Sequence, residues 1–229
     1  MNSRAMAQRS ESFRVGAVLT LAGGFLDAYT YLCRGGVFAN AQTGNMVLLG
    51  VRALEGNWSA ALGYLVPILA FAAGVVAAEA VRSRAPLRGR LHWRQVTVAA
   101  ELLILLAVAF LPQAWNMAAN VAVSFVCAVQ VESFRKLRGR AFATTMCTGN
   151  LRSGTEALWR FSQTGEREEL RSAGRYYGII LCFVLGAALG ALAGRALGER
   201  SVLLCCLLLA AAFGMMFPGR GEARRDGVD

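Results

Sequence analysis

"FANAQTGN" occupies Phe38–Asn45, and "FATTMCTGN" occupies Phe142–Asn150. The echo extends outward from these phrases. Arg34-Gly35 and Phe38-Ala39 match Arg138-Gly139 and Phe142-Ala143 at a constant offset. One inserted residue then aligns Thr43-Gly44-Asn45 with Thr148-Gly149-Asn150. Upstream, Asp27 lies as far before Thr43 as Glu132 lies before Thr148. Downstream, Tyr64, Phe71 and Gly74 have counterparts in Tyr177, Phe183 and Gly186. This pattern reads as one chain made of two related halves.

The surrounding sequence sets the environment of those halves. The chain has 229 residues, 56% of them hydrophobic, above the usual share for soluble domains. The excess is clumped. "AALGYLVPILAFAAGVVAAEAV" (Ala60–Val81) holds roughly the 20 residues needed to cross a bilayer core. Six spanning helices are expected, over Val15–Cys33, Ala60–Val81, Val96–Leu111, Ala114–Phe134, Tyr176–Leu197 and Val202–Phe217. The third is short and is interrupted by Glu101. The expected class is therefore an all-α polytopic membrane protein. A single membrane domain covers 1–229, with repeats over 13–112 and 114–217 and a cytoplasmic tail over 218–229.

The charges give an orientation. With the N-terminus in the cytoplasm, 20 of the 24 Lys and Arg fall on the inner side. Only Arg34, Arg52, Arg195 and Arg200 fall outside. An excess of this sign places both termini inside. Arg4, Arg9 and Arg14 before the first apolar stretch resemble a signal peptide, but no small-x-small cleavage site follows. An uncleaved first span is the expectation. Three spans per half is an odd number, so the second copy must be inverted, as in many secondary transporters.

Each Thr-Gly-Asn is expected to open a helix. Thr or Asn caps free N–H groups, and Gly permits a tight turn. The first helix, Met46–Gly56, is too short to span. The second, from Leu151, is amphipathic and is expected to lie along or dip into the inner interface. If both N-termini face a central cavity, their partial positive charge favours a polar or anionic ligand. Mere capping of interfacial helices is the competing reading. The expected substrate-path or coupling residues are Asp27, Gln42, Thr43, Gly44, Asn45, Glu132, Thr148, Gly149 and Asn150. An acid within a span is costly and needs a partner or a role. For Asp27 the alternatives are ion coupling or fixing the N–H groups of the turn; Glu132 leans towards structure. Glu79 and Glu101 are expected near the inner helix ends. Gly186, Gly190, Gly194 and Gly198 share one helix face, which suits close helix packing, with homodimerisation as a lesser use.

Other classes lose support. The net charge of +10 comes from arginines between apolar runs, not from a basic face, so no nucleic-acid partner is expected. The six cysteines make no Cys-x-x-Cys pair, and His92 is the single histidine. A metal, a cofactor or an enzymatic triad is therefore not expected.

"GGFLDAYTYL…GVFANAQTGNMVLLG" (Gly23–Gly50) resembles the YoaK-like family of bacterial integral membrane proteins, a domain of unknown function. The Gly-Gly-x-x-Asp-Ala stretch, Gln-Thr-Gly-Asn and the later Cys-Thr-Gly-Asn carry the likeness across nearly the whole chain. The resemblance implies the bacterial inner membrane and names no substrate. A transporter for a small polar or anionic solute, proton- or cation-coupled, is the leading expectation. A channel of similar architecture and a non-catalytic membrane scaffold or regulator are the alternatives.

Overall fold

A computed structural model describes residues 12–84, 93–134, 136–137, 140–141 and 147–217. Arg138-Gly139, Phe142-Ala143, His92 and the tail over 218–229 lie outside the described residues. The architecture is helical: α1 Phe13–Cys33, α2 Gln42–Leu54, α3 Trp58–Arg84, α4 Trp93–Val108, α5 Asn116–Ser133, α6 Cys147–Thr164, α7 Arg167–Leu197 and α8 Val202–Met215. A two-residue hairpin pairs Lys136–Leu137 with Arg140–Ala141.

Four segments are long and apolar enough to cross a membrane: Phe13–Cys33, Trp58–Arg84, Gln113–Ser133 and Arg167–Met215. Six were expected. The difference has a physical origin. α4 has 16 residues and α8 has 14, so at 1.5 Å per residue each falls short of a core about 30 Å thick. The fourth segment, in turn, holds two helices. Its chain breaks at Gly198, where φ is +57°, and a 3-10 turn over Gly198–Ser201 leads into α8.

Contacts between helices fix their relative directions. Gly186 and Gly190 of α7 meet the carbonyls of Leu21 and Phe25, so α7 runs parallel to α1. The Tyr29 hydroxyl donates to the Glu199 carbonyl, and Cys205 approaches Ala22, so α8 returns antiparallel to α1. Asn120 donates to the Arg34 carbonyl and Gln130 to that of Leu19, so α5 also opposes α1. α3 runs with α5: Gly74 abuts Phe125, and Arg82 reaches Glu132 further along both helices. The last turn of α4 ends at Arg34, while Arg94 near its start reaches Ser133. α1, α3, α4, α5, α7 and α8 thus alternate in direction.

Their packing is reciprocal. α1 lies along α7 as α3 lies along α5; α2 packs on α3 as α6 packs on α7; α1 meets α8 as α5 meets α4. The main core gathers Leu19, Phe25, Leu26, Tyr29, Leu105, Val123, Val126, Cys205 and Leu209. Large apolar side chains such as Leu69, Val76, Leu103, Leu181 and Leu192 remain exposed on the outside, as a lipid-facing surface requires.

Candidate functional site: a turn returned to the centre of the bundle

α1 ends at Cys33, and the chain reverses over Gly35 and Gly36, with φ of +91° and +79°. Only glycine adopts such angles without strain. The following segment descends beside α1. Phe38 stacks on Tyr31, with ring centroids 4.7 Å apart. Deeper still, the Asn40 N–H donates to Asp27 Oδ1 at 2.6 Å, and its side-chain amide donates to the Gly23 carbonyl at 3.1 Å. Gly23 is the middle residue of the 21-residue α1. The start of α2 therefore sits about 15 Å below the end of α1, and α2 climbs back out.

The expected capping chemistry is replaced by a longer-range one. The N-cap of α2 is Ala41, with no side-chain cap bond; Thr43 and Asn45 fall inside the first turn. The acceptor is Asp27 of α1, against which the backbone N–H groups of Ala39, Asn40 and Ala41 converge. Asp27, 5% exposed, thus has the turn-fixing geometry of its two expected roles.

Asn45 holds the same turn from the other side. Its Oδ1 accepts from the Phe38 N–H at 2.9 Å, and its amide donates to the Phe38 carbonyl at 2.7 Å and to Gln42 Oε1 at 2.9 Å. Gln42 donates to the Ala39 carbonyl. Gly44 lies under the Phe38 ring, where a Cβ would come within 2.9 Å of it. Thr43 is exposed. Asn45→Ala strands both backbone groups of Phe38, at about 1–3 kcal/mol for each buried group. Amide exchange over residues 37–46 is expected to accelerate while α3 and α5 keep their protection; unchanged exchange there would remove Asn45 from this role.

The second motif reaches a matching depth. Thr155 Oγ1 and the Tyr177 hydroxyl are 2.9 Å apart, and Gly154 packs on Tyr176 and Tyr177. α6 runs back along α7 from Cys147, so its first residue lies about 12 Å beyond that contact. That level is the stretch of α7 that meets Leu21 in the middle of α1. Cys147 is partly buried there and lies within electrostatic range of the Asp27 carboxylate. Asn150 is buried, while Thr148 and Gly149 are exposed. α6 packs along α7, burying Asn150, Gly154 and Ala157. Its second half, with Arg160 paired to Glu169, lies beyond the start of α1.

Other expected site residues fall elsewhere. Glu132 is in the last turn of α5, 3.9 Å from Arg82, which also pairs with Glu79. This ion cluster sits at one end of α5, away from the central turn. Gly186 and Gly190 make the α1–α7 crossing, and Gly194 faces the Cys33 sulfur. Gly198 is a correction: with its positive φ it ends α7 and has no neighbour at its Cβ position.

Several central residues were absent from the expected set. Glu101 was expected near an inner helix end, yet it lies in the middle of α4, 2% exposed. Across from it are the thiols of Cys127, Cys205 and Cys206. Cys127 in turn faces Asp27 and the Asn40 side chain. The Cys127 thiol thus lies within electrostatic range of two carboxyl groups. Arg34 is wholly buried and binds α1, α4 and α5 together. A lone acid in an apolar run was the available signal for Glu101. For Arg34 it was the repeated Arg-Gly.

The family model described as "Protein of unknown function (DUF1275)" matches residues 15–215. The chain belongs to this family. Its match begins two residues into α1 and ends with α8, so it takes in the central turn, both Thr-Gly-Asn phrases and all eight helices. No curated protein and no solved structure matches the chain. The likeness to YoaK proteins therefore remains a resemblance, and the family description names no activity for the central residues to serve.

Proposed function

We propose that this protein is a small-solute transporter of the bacterial inner membrane, built from two inverted three-span halves and driven by a proton or cation gradient. The observation that carries the reading is the Asn40 contact with Gly23 and Asp27, which sets a broken backbone at mid-height of a candidate span. Irregular backbone at that depth is tolerated where protein or a water-filled path surrounds it, and such breaks form binding sites in transporters.

The alternating directions and reciprocal packing support the inverted halves. α1, α3 and α4 of the first half run opposite to α5, α7 and α8 of the second. The arginine distribution supports cytoplasmic termini. The solute class follows from the charge at the centre. Asp27 already takes up N–H groups of the turn just before α2, and Glu101 adds a second carboxyl. An anion would meet acids instead of free donors, so a cationic or neutral polar solute fits better than the anionic one expected from free helix ends.

The test is uptake by vesicles carrying the purified protein, offered a mixed metabolite pool under an imposed proton gradient. Saturable accumulation of a small polar solute above protein-free vesicles is expected. Ion conductance without saturation would replace the transporter with a channel. No accumulation and no conductance would remove both.

A further inference from the structure

Glu101 is a buried acid that the fold leaves without a hydrogen-bond partner on one carboxyl oxygen. It lies midway along α4, 2% exposed, and its Oε1 has no hydrogen-bond partner. Asp27 is different, because backbone N–H groups hold its carboxylate. The titratable groups within electrostatic range of Glu101 are the Cys127 thiol from α5 and the Cys205 and Cys206 thiols from α8. α8 carries no charged residue at all. Asp27 of α1 stands beyond Cys127. On α3, Arg82 pairs with Glu79 and with Glu132 at the far end of α5. No cation therefore offsets a charge on Glu101 among the described residues. An isolated carboxylate in such surroundings is costly enough that the group takes up a proton instead.

We propose that Glu101 is the proton-carrying group of the transport cycle, an assignment that rests on the transporter reading above. The proton sits on Glu101 while the bundle is closed around it. It leaves when the halves rearrange and water reaches α4. Asp27 serves beside it as a positioning residue that keeps the first turn at the centre.

Dicyclohexylcarbodiimide is a direct probe, since it partitions into apolar sites and reacts with carboxylic acids that bear a proton. The acid proton passes to a carbodiimide nitrogen, and the carboxylate oxygen bonds to the central carbon. Acyl shift to nitrogen then leaves an N-acylurea with no atom lost. The full-length protein in liposomes is treated across a pH series, and the adduct is located by peptide mass spectrometry. Labelling is expected on Glu101 and not on Asp27. It should fall about tenfold for each pH unit beyond the group's titration, and disappear in Glu101→Gln.

Labelling confined to other acids overturns the proposal. So does Glu101 labelling indifferent to pH, which would mark a proton sealed from water. The wild-type pH series decides even if the variant fails to fold. An empty uptake screen together with pH-dependent labelling would remove the transporter and leave the titrating site.

Discussion

Gly186→Val is expected to abolish folded protein in the membrane, or to lower its unfolding midpoint more than any conservative core change. A Cβ at Gly186 would overlap the carbonyl of Leu21, and one at Gly24 would overlap that of Phe183. Both obstacles are backbone, so no side-chain rotation relieves them. α1 and α7 must separate, which forfeits dispersion contacts along a crossing that small residues make close. Overpacking commonly costs about 1–3 kcal/mol, and here it falls on the most extensive helix pair of the bundle. Gly74→Val should behave alike, because Gly74 meets the Phe125 carbonyl in the reciprocal α3–α5 crossing. Gly174→Ala is the control. Its Cβ position has no neighbour within 4 Å, so replacing a helical glycine there should be neutral or stabilising by about 0.5–1 kcal/mol. Expression level and thermal unfolding in detergent distinguish these outcomes. Equal stability of the Gly186 and Gly174 variants would refute the close crossing.

Arg34→Ala carries the second large effect. The guanidinium is fully buried. It donates from Nε to the Tyr29 hydroxyl at 2.7 Å, and from its terminal nitrogens to the Val108 and Leu111 carbonyls and Asn116 Oδ1. Val108 closes α4 and Leu111 follows it, where the helix end carries partial negative charge. Removing Arg34 takes its charged donors from both carbonyls, so a loss on the order of 3–5 kcal/mol is expected at about 1.5–3 kcal/mol per hydrogen bond to a charged group. Arg34→Lys should recover only part, because an ammonium lacks the planar fork that spans these acceptors. Thermal unfolding of the three proteins provides the readout. A loss below about 0.5 kcal/mol in Arg34→Ala, typical of surface positions, would contradict a role as the tie between α1, α4 and α5.

Much of the helical layout was readable because apolar runs of bilayer length leave little alternative. α1, α3, α5 and α7 all coincide with expected segments within a few residues at most ends, apart from the charged extension of α7 before Tyr176. Spans at α4 and α8 were harder to judge, since their helices stop short of bilayer thickness. The repeated phrase correctly drew attention to the turn, yet its residues do less of the capping than expected. A local pattern cannot reveal an acceptor on another helix, and Asp27 supplies it. The equal spacing of Asp27 and Glu132 from their motifs was misleading for a similar reason. Equating the two glycine crossings pairs Leu21 with Phe125, the same offset that relates Arg34 to Arg138. At that offset Asp27 faces the place of Val131, and Glu132 takes the place of Ala28. The one-residue insertion before Thr148 made the two acids look equivalent. Glu101 was visible as an acid in an apolar run. Its depth became clear only once α4 was seen to begin at Trp93 and to pack between α5 and α8.

The position of the first turn is tested most directly through Asn40→Cys and the native Cys127. The Asn40 side chain lies against the Cys127 thiol, and Cys127 sits well inside α5. A short thiol-bridging reagent applied to the protein in liposomes should join the two positions, and peptide mass spectrometry should recover the 40–127 pair. The new thiol should resist a membrane-impermeant maleimide. Ready labelling of position 40 from one side of the membrane, with no link to Cys127, would place the turn at the surface and contradict a broken backbone at the centre of the bundle.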